Sequence, residues 1–264
     1  MSSLKEKKLF LLDMDGTIYL DEELFDGTLD FLDYVRRIGG RYLFLTNNSS
    51  KGIDKYIEKL ARLGIESVPE DFLTSTEATI AYLKGKGHEK IYAMGTASFC
   101  RQLRDAGLNV TESVEEGIDC LCISNDQELT FKKLEDVSYL LLKCDLDYIA
   151  TNPDWVCPTA FGSVPDCGSF AEMLYRVSGK RPKFIGKPQP DMIYHALTRT
   201  GYEKDDALML GDRLYTDIAS GVNAGVDTVF VLSGEGTLAD LEVSDAKPTY
   251  VRNNIRELYE ELVK

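Results

Sequence analysis

The chain has 264 residues, 44% of them hydrophobic and 28% charged, which is enough for one large domain or two modest ones with a real apolar core. Its 44 Asp and Glu outweigh 30 Lys and Arg, giving a formal net charge of -14 and arguing against the basic face that a nucleic-acid or anionic-membrane binder presents. A small phosphorylated partner stays open, because one Lys and a bound cation reverse the field locally.

The N-terminus reads Lys5-Glu6-Lys7-Lys8 and then an apolar run, Leu9 to Leu12, that stops at Asp13. That run is too short for a signal peptide, and no uncharged stretch approaches the roughly 18 residues a membrane helix needs. A cytoplasmic protein is therefore expected. The six cysteines form no C-x-x-C pair, so the expectation is reduced core thiols and no zinc site. Cys120 and Cys122 would share one face of a strand.

Further apolar runs follow in order. Tyr42 to Leu45 ends at Thr46, Lys183 to Ile185 at Gly186-Lys187, Ala207 to Leu210 at Gly211-Asp212, and Thr228 to Leu232 at Ser233-Gly234. Each reads as a buried parallel strand closed by a polar residue or glycine. Helical stripes lie between them: Leu29, Leu32, Val35 and Ile38 closed by Gly39-Gly40; Ile53, Tyr56, Ile57 and Leu60; and Met192, Ile193, Ala196 and Leu197. Alternation of this kind predicts an α/β fold with a parallel sheet, in which ligands bind outside the carboxyl ends of the strands. Asp13, Thr46, Lys187 and Asp212 all stand at such ends.

The middle of the chain is a second series, with strands expected over Lys90 to Met94, Cys120 to Ser124 and Asp147 to Thr151. Helices are expected over Phe99 to Ala106, Thr130 to Cys144 and Phe170 to Val177. We read 78–180 as an inserted α/β domain and 1–77 with 181–264 as the core. An insert at that place would act as a lid.

Four stretches carry chemistry. In Asp13-Met14-Asp15-Gly16-Thr17, two carboxylates two residues apart offer a nucleophile and an acid/base group, and Gly16 lets the backbone turn and bring its N–H to a phosphate oxygen; the bland alternative is a surface turn. Thr46-Asn47-Asn48-Ser49-Ser50 offers a hydroxyl and amides to phosphoryl oxygens, or simply caps a helix. Lys187 is a point charge suited to a phosphate, where a solitary Lys is usually solvated. Gly211-Asp212 through Asp217 is a second acidic cluster. Asp13 and Asp212 suit Mg²⁺, and Asp217 would orient a ligating water or the Lys187 ammonium. Together, in this order and each at a strand end, these signals weigh more than any one alone.

The pattern resembles the haloacid dehalogenase superfamily of phosphohydrolases. The first motif matches Asp13 to Thr17, the second Thr46, the third Lys187, and the fourth Gly211-Asp212 with Asp217. Leu45 to Ser50, Ala150-Thr151-Asn152-Pro153-Asp154 and Ile185 to Pro190 are further similar to its NagD-like, or 4-nitrophenylphosphatase-like, branch (subfamily IIA). The resemblance implies a Rossmann-like core with an α/β cap, and a Mg²⁺-dependent phosphatase acting on a small phosphorylated metabolite, a sugar phosphate or nucleotide. It makes Asp13 the nucleophile and Asp15 the general acid/base. Mg²⁺ would bind Asp13, the Asp15 backbone carbonyl and Asp212. Thr46 and Lys187 would hold the phosphoryl group, Asn47 and Asn48 would add to that pocket, and Asn152 to Asp154 would lie near the cleft between cap and core. A homodimer formed through the cap also fits the branch.

Other readings share part of this pattern, and a metabolite-binding protein without turnover would need one of the four motifs broken, which none is. A carbon–halogen hydrolase needs neither Asp15 nor the second acidic pair. A phosphomutase shares the intermediate but returns the phosphoryl group to a sugar. A phospho-receiver would store phosphate on Asp13. Trp155 is expected to be a buried aromatic, Gly234-Glu235-Gly236 no more than a turn, and neither His88 nor His195 receives a role.

Overall fold

The computed structural model describes residues 3–49, 52–159 and 161–264. It divides into two compact units, one of residues 1–46, 53–73 and 187–264, the other of residues 47–52 and 74–186.

The first unit is organised by a six-stranded sheet in the order Tyr250–Arg252, Asp227–Val231, Ala207–Gly211, Leu9–Leu12, Arg41–Thr46, Phe72–Thr74. Every pairing from Tyr250–Arg252 across to Arg41–Thr46 is parallel. All four residues of Leu9–Leu12 are fully buried, as a strand covered on both faces requires. Period two then sorts its side chains. Phe10 and Leu12 join Tyr42, Phe44, Leu208, Leu210, Val229 and Val231 in one cluster, against the helices Thr28–Arg37 and Ile255–Val263. Phe10 meets Phe31 edge-on at 5.3 Å, and each such ring contributes about 1.5–3 kcal/mol by leaving water.

Helix Thr28–Arg37 corrects the expected stripe. Leu29 is 48% exposed, while Thr28, Phe31, Leu32 and Val35 are buried. Those four fall at i, i+3, i+4 and i+7, so the stripe begins one residue earlier and runs through Phe31. Helix Ile53–Arg62 follows its expected face: Leu60 is buried, and Ile53, Tyr56 and Ile57 pack against the same cluster.

The second unit carries a five-stranded parallel sheet in the order Lys183–Phe184, Asp147–Ala150, Cys120–Ile123, Ile91–Met94, Val110–Thr111. Lys183–Phe184 was expected in the same sheet as Leu9–Leu12; it pairs with Asp147–Ala150 instead, Lys183 opposite Ile149. A run of three apolar-flanked residues carries no information about which sheet will receive it. Tyr92, Met94, Leu121 and Ile123 form this unit's core with Val137, Leu140, Leu141 and Leu174 from the helices Phe131–Lys143 and Cys167–Ser178. Cys120 and Cys122 sit on the opposite face of their strand, buried, and all six thiols are free. Burial pushes the Cys100 and Cys120 thiols up to about 12, which leaves them inert at neutral pH.

An antiparallel hairpin, Val156–Thr159 with Gly162–Pro165, was not foreseen. Trp155, at its base, is 61% exposed rather than buried. The strand it precedes belongs to a two-stranded ribbon, which has no wider sheet around it to bury a ring. Among the described residues, no helix is long and apolar enough to cross a membrane.

Candidate active site

In the first unit the carboxyl ends of adjacent strands deliver three acidic residues and a hydroxyl. Asp13 follows Leu9–Leu12 and donates its N–H to the Leu210 carbonyl at 2.9 Å, which ties it to the neighbouring strand. Asp212 follows Ala207–Gly211. Asp217 sits in the wide turn Leu214–Ile218, a π-type turn of the kind that recurs at functional sites. Thr46 ends Arg41–Thr46, its Oγ1 3.5 Å from the Tyr56 hydroxyl.

Lys187 joins these ends. Its Nζ donates to Asp13 Oδ1 at 2.6 Å, to Asp217 Oδ1 at 2.7 Å and, more weakly, to the Leu45 carbonyl at 3.4 Å. The side chains of Lys187 and Asp217 are 4% and 1% exposed, so this is a buried ionic group. Asp217 Oδ2 accepts the Arg213 N–H at 3.1 Å, which fixes the carboxylate that holds the ammonium.

Asp13, Asp212 and Asp217 each offer an oxygen within 4.8 Å of the others. Crowding of this kind disfavours charge. Burial first, then Asp217, push Asp13 up to about 8 against the pull of Lys187; burial and Asp217 likewise raise Asp212 to about 6. Burial alone would lower Lys187, but Asp13 and Asp217 outweigh it and hold the ammonium protonated. Asp212 Oδ1 is buried without a hydrogen-bond partner. An orphaned carboxylate oxygen facing two more carboxylates fits a hard divalent cation, which relieves the repulsion and takes oxygen ligands.

The loop after Asp227–Val231 is more than the turn it was taken for. Glu235 donates its N–H to Asp212 Oδ2 at 2.7 Å, Gly236 donates its N–H to the Asp212 carbonyl at 3.1 Å, and the Ser233 hydroxyl donates to the Gly16 carbonyl at 2.7 Å. Glu235 is itself held by the Arg213 guanidinium at 2.8 Å and the Tyr215 hydroxyl at 3.0 Å. The signal in the sequence was Ser-Gly-x-Gly at a strand end, read without knowledge of which strand lies beside Asp212. A Cβ at Gly234 would stand 2.0 Å from Asp212 Oδ2. Gly234→Ala is therefore expected to turn that carboxylate and weaken divalent-cation binding about tenfold or more, read by titration calorimetry with Mg²⁺ as the probe. Unchanged affinity would mean the loop does not set Asp212.

Gly16 has φ +86°, and a Cβ there would stand 2.4 Å from Asp212 Oδ2, so the position needs glycine for its turn and for room. Its N–H, expected to face a phosphate, is donated to the Tyr19 carbonyl at 2.8 Å. The Asp15 carboxylate lies outside the acidic trio. Its Oδ2 accepts from the Tyr19 hydroxyl at 3.3 Å, and its Oδ1 is 3.6 Å from Lys59 Nζ.

Asn47, Asn48, Asn152 and Asp154 belong to the second unit. They bond to one another and to neighbours there. Asn47 Nδ2 donates to both Asp154 oxygens at 3.1 Å, Asn152 Nδ2 to the Asn47 carbonyl at 2.9 Å, and Asp154 N–H to Asn152 Oδ1 at 3.0 Å. Asn48 Nδ2 lies 4.0 Å from Cys157 Sγ. The Asn47 amide, expected to add to a phosphate pocket, donates to the half-buried Asp154 carboxylate in the structure. Nearby, burial pushes Asp166 up to about 6. Ser50, part of the same expected stretch, lies outside the described residues.

Comparison with known proteins places these features in a family context. Residues 10–109 match a family model described as haloacid dehalogenase-like hydrolase, and residues 184–258 match a HAD-hydrolase-like model. The chain is 34% identical over 262 residues to an acid sugar phosphatase of Staphylococcus aureus, covering 99% of this chain and 100% of that one. It is similar to the crystal structure of a 4-nitrophenylphosphatase from Thermotoga maritima, with 38% identity, TM-score 0.91 and 98% of each chain covered. It is also similar to a glycerol phosphate phosphatase from Mycobacterium tuberculosis solved in complex with magnesium, at 28% identity and TM-score 0.88, covering 98% of this chain and 78% of that one.

Proposed function

Because the chain belongs to the haloacid dehalogenase-like hydrolases, in their NagD-like branch, we propose that it releases phosphate from small monoesters of the sugar phosphate or nucleotide class, with Mg²⁺ and through an aspartyl-phosphate on Asp13. That it is a phosphoric monoester hydrolase follows from the family and its relatives. The finer reading rests above all on one observation: Lys187 bridges Asp13 and Asp217 beside the orphaned oxygen of Asp212.

The unit with the six-stranded sheet is then the catalytic core, and the second unit is the α/β cap domain of this branch. Asp13, Asp212 and the backbone carbonyl of Asp15 are the proposed ligands of Mg²⁺, which when bound offsets repulsion between Asp13 and a phosphate dianion. Asp13 attacks phosphorus, forming the Oδ–P bond as the bond to the leaving oxygen breaks. Asp15 gives its proton to that oxygen. In the second half, Asp15 takes a proton from water, whose oxygen attacks phosphorus and returns the Asp13 carboxylate. Lys187 and the Thr46 hydroxyl hold the transferring oxygens, because positioning and electrostatics dominate phosphoryl transfer. Asp217 keeps Lys187 charged and aimed. A cytoplasmic role on small metabolites accords with the net charge of -14 and six free thiols.

The test is phosphate release from 4-nitrophenyl phosphate and from a panel of sugar phosphates and nucleoside monophosphates, with Mg²⁺ and after chelation. Release that depends on Mg²⁺ is expected. Undiminished turnover in chelator, or transfer to a second sugar with no free phosphate, would overturn the proposal; the latter would favour a mutase.

A further inference from the structure

Asp15 is the more exposed of the first motif's two acidic residues: its side chain is 61% exposed, against 17% for Asp13. A carboxylate on a surface loop ordinarily samples several rotamers, at a cost to any role that needs one orientation. Here both oxygens have partners. Tyr19 is fully buried, and its hydroxyl donates to Oδ2 at 3.3 Å. Its backbone is locked to the same turn, with the Tyr19 carbonyl accepting the Gly16 N–H and the Tyr19 N–H donating to the Met14 carbonyl. Lys59, from helix Ile53–Arg62, lies with its Nζ 3.8 Å from the centre of the Tyr19 ring and 3.6 Å from Asp15 Oδ1. One turn earlier on that helix, Tyr56 reaches the Thr46 hydroxyl. Arg62 pairs with Glu22 at 3.2 Å, between the short strands Tyr19–Leu20 and Glu23–Leu24.

Sequence spacing alone makes Tyr56, Lys59 and Leu60 neighbours on one helical face, with Leu60 anchoring the helix in the core. Lys59 is only 22% exposed, its stem lying over the Tyr19 ring with the ammonium toward the carboxylate. A lysine that served solubility alone would extend into water.

We propose that Tyr19 and Lys59 are positioning residues for Asp15, fixing the orientation in which it exchanges a proton with the leaving oxygen. This rests on the reading of Asp15 as general acid given above. The proton that Asp15 loses goes to the leaving oxygen as the P–O bond breaks, and the need for it depends on the leaving group. An alkoxide is a strong base and departs poorly unless protonated; 4-nitrophenolate is a weak base and departs without help. Misorienting Asp15 therefore penalises alkyl phosphates selectively, whereas general damage to the site penalises both alike.

The experiment compares kcat/KM for glycerol phosphate and 4-nitrophenyl phosphate in Mg²⁺-loaded enzyme, for wild type, Asp15→Asn, Lys59→Met, Lys59→Arg and Tyr19→Phe. Asp15→Asn is expected to lose about 10²-fold more on the alkyl ester than on the aryl ester. Lys59→Met and Tyr19→Phe are expected to lose about tenfold more on the alkyl ester, with Lys59→Arg largely restoring the ratio. If Asp15→Asn is selective and the two positioning variants are not, the positioning proposal fails and the acid stands. If Asp15→Asn loses both activities alike, the acid assignment fails and takes this proposal with it. Circular dichroism of each variant keeps a folding defect from passing as either result.

Discussion

Asp13→Asn is expected to lose phosphatase activity by at least about 10⁴-fold while the protein stays folded, because an amide cannot form the phosphoryl bond the proposed mechanism requires. Asparagine matches the volume of aspartate, and its Oδ1 can still accept from Lys187, so the donor at 2.6 Å keeps a partner. The substitution also removes one of three carboxylates crowded within 4.8 Å. Burial and the neighbouring carboxylates already disfavour charge at this position, so the metal-free variant should melt no lower than wild type. The measurement is phosphate release from 4-nitrophenyl phosphate beside a thermal melt. Turnover near the wild-type rate in a folded variant would remove Asp13 as nucleophile. Loss of activity with loss of fold would instead make Asp13 structural.

Lys187→Met carries the opposite balance of effects: both activity and stability should fall. The ammonium is 4% exposed and faces Asp13 and Asp217, and methionine fills its stem but leaves both carboxylates buried without their cation. Breaking a buried pair from one side costs about 3–5 kcal/mol, far more than a surface ion pair contributes. On the proposed mechanism turnover should drop about 10²–10³-fold, since the variant would lack a donor for the phosphoryl oxygens and a fixed nucleophile. A second variant separates pairing from packing. Lys187→Met with Asp217→Asn removes one of the stranded charges, so chemical denaturation should show it to be more stable than the sum of the two single losses. Strict additivity would mean that the ammonium contributes through packing alone.

The sequence alone was sufficient for the fold class and for naming the acids and the lysine that the structure brings together. Leu9–Leu12 and Ala207–Gly211 are uninterrupted apolar runs, and such runs are buried on both faces only in a parallel sheet. That constraint places the next residue, Asp13 or Asp212, at the edge where ligands bind. Asp217 was expected to orient either a ligating water or the Lys187 ammonium, and in the structure it meets the ammonium at 2.7 Å, as a buried lysine requires.

What remained was decided by neighbours distant in the chain. Lys183–Phe184 joins the second sheet because Ile149 and Ala150 are there to pair with it, which three residues cannot announce. Leu29 and Phe31 are both apolar, and only the layer against which the helix packs selects Phe31. Glu235 holds Asp212 through a backbone N–H, a group that every residue but proline carries, so its identity left no mark at the sequence level. Trp155, expected to be a buried aromatic, precedes a two-stranded hairpin and is left exposed. Periodicity and strand-end chemistry are local properties, so the chain displays them directly. Strand partners, helix rotation and backbone-donated contacts depend on which segments meet, and that is settled only when the chain folds.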